Sequence, residues 1–258
     1  MRIENCAETP LVSVIMPAYN AEEFIAEAIE SVRNQTISDW ELLVIDDCSG
    51  DRTREIAAGF AEKDDRVRLL VNEKNMGVAR TRNRGMDAFR GRYVAFLDSD
   101  DYWMPQMLEK MIACGEKTGA DIIYCAYELV NEQGEKVCND FMVPTATTFE
   151  ESIVRSVITC STVLVTAELA RRNRFPTDMY HEDIAMWFSI LRNGGTARGV
   201  QEVLAAYRQR AGSRSSGKLI SACRRWTIYR RHLKMPFLQS VAVMARYGYY
   251  GLRKFKRI

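Results

Sequence analysis

Short apolar runs that alternate with helix-period stretches constrain this chain more than any other feature of its sequence. Residues 11–16, 42–45, 67–71 and 93–97 are nearly continuous in Val, Ile, Leu, Met, Phe and Ala. Runs of that length without polar alternation read as strands buried on both faces of a sheet. Between them, 22–35 carries Phe24, Ile25, Ala28, Ile29 and Val32 on one helical face, and 53–62 and 78–89 also read as helices. A further helix is expected after Pro105, then strands at 121–130 and 161–165, and a helix at 183–192. The more polar stretch 131–148, with Pro144, is expected to be a loop excursion. Strand–helix alternation implies an α/β fold built on a single Rossmann-like, mostly parallel sheet flanked by helices. At 258 residues the chain fits one such domain, expected over 1–206, followed by a basic helical C-terminal segment over 207–258.

Charge distribution sets that last segment apart. Of the 36 Lys and Arg residues, 14 lie between 207 and 258, a stretch with no Asp or Glu, so the remainder carries 22 bases against 34 acids. An acidic body with a basic tail points to a polyanionic partner such as an anionic membrane surface. The segment 237–258, FLQSVAVMARYGYYGLRKFKRI, mixes apolar and aromatic residues with Arg246, Arg253, Lys254, Lys256 and Arg257, a composition suited to lying in a lipid headgroup region. The bland alternative is that its tyrosines pack against the main body. No nucleic-acid-binding motif accompanies the charge, so no nucleic-acid partner is expected. Seven cysteines without a C-x-x-C pair argue for reduced thiols rather than a zinc knuckle or a disulfide framework. The start has no apolar run of the signal-peptide kind, and no uncharged apolar stretch is long enough to span a bilayer. The expectation is a cytoplasmic protein, peripheral on the cytoplasmic face of the inner membrane.

Ligands of doubly wound sheets bind beyond the carboxyl ends of the strands. The first strand runs into Pro17-Ala18-Tyr19-Asn20, the second into Asp46-Asp47 and the fourth into Asp98-Ser99-Asp100-Asp101. Carboxylates crowded at two of these ends repel one another unless a cation sits among them. Asp98 and Asp100, two residues apart, share a face if the chain there is extended, a geometry suited to one divalent ion shared with substrate phosphates. No G-x-G-x-x-G follows the first strand, and no G-x-x-x-x-G-K-[ST] occurs anywhere, which excludes a Rossmann dehydrogenase or P-loop reading. Taken singly, each motif has a structural explanation. Asp46-Asp47 and the aspartates at 98–101 can cap the following helices, and Glu182-Asp183 can complement a helix dipole.

Taken together and in order, VSVIMPAYN, ELLVIDDCSGD, NMGVARTRNRG, YVAFLDSDD and HEDIAMWFSIL resemble the motifs of the family 2 inverting glycosyltransferases, which have the GT-A fold. The resemblance spans roughly 11–207. It implies that Asp47 hydrogen-bonds the nucleotide base, with Pro17 and Tyr19 lining the base and ribose pocket. Asp98 would be the first carboxylate of a D-x-D motif, near the ribose. Asp100 would be the ligand that bridges Mn²⁺ or Mg²⁺ to the diphosphate. Arg82 and Asn83 stand in the family's R-N position, supporting the nucleotide, and Asp183 stands as the catalytic base. His181 is expected to be a polar neighbour, and Trp187 and Phe188 core.

Two departures from the family pattern bear on the chemistry. Relatives often place a histidine near the segment 207–213; here Gln209 and Arg210 stand there, and an arginine can meet phosphate bidentately. The Q-x-x-R-W motif of processive members is absent, which implies single-sugar transfer. The expected function is transfer of one sugar from a UDP-linked donor to a glycan or lipid-linked acceptor in cell-surface polysaccharide, lipopolysaccharide or glycolipid synthesis. The alternatives are a non-catalytic nucleotide-sugar-binding module, against which the intact carboxylates argue, and a nucleotidyltransferase, whose glycine-rich entry loop is missing.

Overall fold

In the computed structural model, residues 9–210 and 218–254 are described. The polar stretch 211–217 and the last bases of the tail, Lys256 and Arg257, lie outside them, as do the side chains of Arg253 and Lys254. Eight strands form one sheet: β1 Val12–Ala18, β2 Trp40–Asp46, β3 Val67–Val71, β4 Tyr93–Phe96, β5 Tyr102–Trp103, β6 Ile122–Val130, β7 Val163–Thr166 and β8 Ala197–Arg208. Their spatial order is β3-β2-β1-β4-β7-β6-β8-β5. Through β3, β2, β1 and β4 all pairings are parallel, as the alternation predicts. β7 then runs antiparallel to both β4 and β6, β8 is parallel to β6, and β5 is antiparallel to β8. The second half of the sheet is therefore mixed.

Every residue of β1 and β2 is buried, which is why these strands appear in sequence as nearly continuous apolar runs. The helices are α1 Ile25–Arg33, α2 Thr53–Ala61, α3 Val78–Ala88, α4 Met107–Thr118, α5 Phe149–Ser152, α6 Ala167–Arg172, α7 Glu182–Arg192, α8 Lys218–Thr227 and α9 Phe237–Lys254. α1, α2 and α4 cover one face of the sheet in a cluster that includes Ile25, Ile29, Ala57 and Met111. α3, α6 and α7 cover the other with Met86, Ala170 and Trp187. α1 starts three residues later than its apolar pattern; a turn precedes it, with Phe24 N donating to the Ala21 carbonyl at 3.0 Å, and the amides of Ala21 and Glu22 donate to Thr53 Oγ1 at 2.7 Å and Asp51 Oδ2 at 3.1 Å.

Beyond β8 the described chain packs on the outer side of α7. Ile228, Tyr229, Leu233, Met235 and Val243 form a third cluster with Ile153, Val154, Ala185 and Phe188. Tyr229 stacks on Phe188 with ring centroids 6.5 Å apart, and its hydroxyl donates to the Ile153 carbonyl. The segment is thus docked on the body along one side. No helix among the described residues is long and apolar enough to cross a membrane.

Candidate active site

The carboxyl ends of β1, β2 and β4 open into a single cleft of about 510 Å³. The loops after β1 and β2 hold each other. Gly50 N donates to Asn20 Oδ1 at 2.8 Å, and Asn20 N to Ser49 Oγ at 3.0 Å. Asp46 is buried and accepts from Ser49 N, closing its own turn. Asp47, also buried, faces across to the segment before α3. Its Oδ1 accepts from Asn72 Nδ2 at 2.7 Å and Met76 N at 2.8 Å, and its Oδ2 from Gly77 N at 2.9 Å. Gly77, the residue before α3, has φ of 83°, a conformation that favours glycine. A carboxylate has about four lone-pair positions, so three accepted bonds leave Asp47 room for one more donor.

After β4 the chain does not stay extended. It turns at Ser99-Asp100, and Asp101 N donates back to the Asp98 carbonyl at 3.1 Å. The expected alternation at 98–101 therefore fails as a strand geometry, yet Asp98 and Asp100 still both line the cleft. Asp101 points the other way: it is buried, accepting from Ser161 Oγ and from Arg208 N at 2.9 Å. Burial and the neighbouring Asp100 and Asp98 push its carboxyl well above the ordinary range. Asp100 is also raised, by burial and by Asp98, against the opposing field of Arg210, whose Nη1 lies 3.7 Å from Asp100 Oδ2. Arg208, at the end of β8, supports the turn from behind, donating Nε–H to the Asp100 carbonyl at 2.9 Å.

The far side of the cleft is the start of α7. Glu182 lines the cleft, and buried Arg82 reaches both walls, donating Nη1–H to Glu182 Oε1 at 2.8 Å and Nη2–H to Asp98 Oδ1 at 2.5 Å. Arg82 also lies over the Phe175 ring, 5.4 Å from its centroid, and its Nε has no hydrogen-bond partner. Beside Glu182, half-buried Asp183 has its carboxyl pushed up to about 6, by burial first and then by Glu182, with Arg82 pulling the other way. That value suits a general base near neutral pH. Asn83 makes a two-way bond with the Phe175 backbone, at 2.8 and 2.9 Å, fixing the loop that leads to α7.

Of the residues singled out in the sequence, Pro17, Tyr19, Asp47, Asp98 and Asp100 line the cleft, and Arg210 joins them. Arg82, Asn83 and Asp183 are not on its wall; Arg82 and Asn83 brace it through the contacts above. Arg80, Tyr180 and Glu182 also line the cleft; sequence reasoning assigns the first two no role and Glu182 only a helix-dipole one. Only Glu182 had a signal, its place beside Asp183 at a helix start. Trp187 and Phe188 are core, as expected. His181 takes a left-handed conformation, φ 60°, immediately before α7. Among the described residues no three His, Cys, Asp or Glu converge as a ready-made metal cage.

Residues 13–137 match the family described as Glycosyl transferase family 2. A Bacillus subtilis relative named "Putative teichuronic acid biosynthesis glycosyltransferase TuaG" is 34% identical over 245 residues, spanning 95% of this chain and 97% of that one. The chain belongs to glycosyl transferase family 2. A second relative of this family 2 glycosyltransferase, from Escherichia coli, is named "UDP-Glc:alpha-D-GlcNAc-diphosphoundecaprenol beta-1,3-glucosyltransferase WfgD"; it is 36% identical over 245 residues, spanning 95% and 94% of the two chains. Among solved structures, S. aureus TarS 1-349 in complex with UDP-GlcNAc superposes with a TM-score of 0.72 at 22% identity, over 92% of this chain and 71% of that one. The mannosyltransferase PcManGT from Pyrobaculum calidifontis, in complex with GDP-Man and Mn²⁺, gives 0.64 at 18% identity, over 88% and 64%. These likenesses establish the GT-A fold for this family 2 enzyme.

Proposed function

We propose that the chain is an inverting, metal-assisted glycosyltransferase that moves one sugar from a UDP-linked donor to a lipid-linked glycan acceptor at an anionic membrane surface. The observation that carries the reading is the gathering of Asp47, Asp98, Asp100 and Arg210 along one cleft, with Asp183 beside its α7 wall. In this reading residues 1–206 are the catalytic domain and 207–258 the membrane-facing segment.

Each residue then has a task. Asp47, with capacity for one more donor, accepts the imide N–H of uracil, and Pro17 and Tyr19 flank the base and ribose. Asp98, oriented by Arg82, sits by the ribose; Asn83 and Arg82 hold the loop and wall against which the nucleotide lies. Mg²⁺ and Mn²⁺ prefer oxygen ligands and commonly take one or two carboxylates plus substrate phosphates, so Asp100 on the wall and its neighbour Asp98 fit such an ion without a full protein cage. When bound, the ion would neutralise charge on the departing diphosphate in place of a general acid. Arg210, standing where relatives often have histidine, meets the same charge from the side of Asp100.

Transfer is one displacement with an oxocarbenium-like transition state. The acceptor oxygen bonds to the anomeric carbon, whose bond to the donor phosphate oxygen breaks, and that electron pair leaves on the nucleoside diphosphate. Asp183 takes the acceptor proton from the opposite face. The absence of the processive motif supports release after one addition. The names of the Bacillus and Escherichia relatives support a lipid-linked or cell-wall glycan acceptor in cell-surface polymer synthesis.

Support for the membrane comes from α9. Its inner side buries Ser240 and Val243, while Phe237 and Leu238, 59% and 81% exposed, Val241 and Tyr249 face outward with Arg246. An outward apolar stripe in a segment without acids suits a headgroup layer on the cytoplasmic leaflet, beside the nucleotide-sugar pool. A donor screen tests the enzyme reading: UDP sugars should release UDP with Mn²⁺ and a lipid-diphosphate-linked sugar acceptor present. Failure to turn over any of the common sugar nucleotides refutes it.

A further inference from the structure

We propose that Arg224, stacked on Tyr180 at the mouth of the cleft, receives the diphosphate of the lipid-linked acceptor. The inference rests on the acceptor class read above and adds the site that recognises it. Tyr180 is exposed, lines the cleft and lies three residues before Asp183. The Arg224 guanidinium sits 4.2 Å from the Tyr180 ring centroid, so α8 brings a cation to the cleft on the side of the proposed base. The neighbouring arginine behaves differently. Arg225 is buried, donates to Ser156 Oγ at 2.8 Å and lies over the rings of Phe188 and Tyr247. Of two adjacent arginines, one packs beside α7 and the other stacks on a residue of the cleft wall.

A separate contact ties α8 to α9. Trp226, two residues along α8, meets Phe237 edge-on with centroids 5.9 Å apart. Phe237 in turn opens the outward apolar stripe of α9. α8 thus brings an arginine to the cleft wall and, from another side, an aromatic contact to the apolar helix α9. A sugar carried on a polyprenyl diphosphate needs partners of these kinds: a cleft for the sugar, a cation for the phosphates and an apolar surface for the hydrocarbon. Stacking on an aromatic face fixes a guanidinium with little loss of hydrogen-bonding geometry, and its planar edge matches phosphate oxygens. The donor diphosphate is assigned elsewhere in the cleft, beside Asp100 and Arg210, so the two phosphate groups do not compete for one arginine.

The test uses the full chain in mixed micelles with two acceptors, N-acetylglucosaminyl-diphospho-undecane and the same sugar on a neutral undecyl ether. Wild type should favour the diphosphate acceptor in kcat/KM. Arg224→Gln should cut that preference about 10- to 100-fold, the scale of a lost charged hydrogen bond. Arg224→Lys should recover part of it, and Tyr180→Ala, which removes the stack without touching α8, should cut it several-fold. A variant that merely misfolds lowers both rates together and keeps the preference, so an unchanged ratio in Arg224→Gln and Tyr180→Ala overturns the proposal. Equal use of both acceptors by wild type overturns it too. If wild type releases UDP from its donor but transfers to neither, the acceptor reading and this inference fall while the enzyme reading stands.

Discussion

Replacing Arg82 by Leu should separate the fold's need for this residue from the reaction's need. Arg82 and Glu182 have side chains only 5% exposed, whereas Asp98 is 31% exposed. Removing the arginine therefore takes the buried Glu182 carboxylate out of its ion pair, while Asp98 can take water in its place. Leaving one member of a buried ion pair costs about 3–5 kcal/mol. In a protein of this size that is a fall in Tm of roughly 6–20 °C. The double variant Arg82→Leu, Glu182→Leu removes both charges and should recover most of the loss. Arg82 also lowers the Asp183 carboxyl, so the single variant should move the acidic limb of kcat/KM above its wild-type position near pH 6. Urea unfolding at pH 7.5 and pH–rate profiles measure the two effects. A single variant within about 1 kcal/mol of wild type would show that the pair is solvated and the reasoning wrong.

Asp183→Asn should keep nucleotide affinity near wild type and lose about 10²- to 10⁴-fold in turnover; near-normal turnover removes Asp183 from catalysis. In the wild type, turnover should rise with pH through about 6 as Asp183 ionises. The same group, raised from 3.8, contributes stability that is present below 3.8 and fades as pH climbs through about 6. Asp100→Ala should raise the Mn²⁺ concentration for half-maximal donor turnover by more than about tenfold, and overlapping titration curves would refute its role as ligand. Leu238→Glu with Val241→Glu should abolish co-sedimentation with anionic liposomes. Wild-type binding should fall with added salt, and a wild type left in the supernatant at low salt ends the membrane reading.

The parallel half of the sheet could be read from sequence because β1 and β2 are buried on both faces and so carry nearly continuous apolar runs. The carboxylates at the strand ends were readable for the same reason, since the runs mark where each strand stops. β8 escaped notice. Its residues Arg198, Gln201 and Glu202 interrupt any apolar pattern, and its pairing with β6 shifts register twice, around Ala126. β5 has only two residues and exists because β8 lies beside it. The cleft wall was half legible. Asp47 stands in a motif, but its partners at Met76 and Gly77 are main-chain groups about 30 residues away, and the pairing follows only from how the two loops meet. Arg82 was noticed for its neighbour Asn83, yet its bond to Glu182 crosses 100 residues and follows only from how α3 and α7 meet.

The docking of the C-terminal segment on α7 affects how truncations should be read. α7 begins with Glu182 and Asp183 and is gripped from two sides, by the core through Trp187 and by the tail through Ala185 and Phe188. Cutting the chain before α8 would bare Phe188 and its neighbours and take away one of the two grips that hold the acid pair in register. A shortened protein that floats free of lipid and has lost activity would thus say nothing about whether lipid is needed for turnover. Charge placed on the outward stripe of α9 leaves that second grip intact, and so is the cleaner way to ask where the enzyme works without altering how it works.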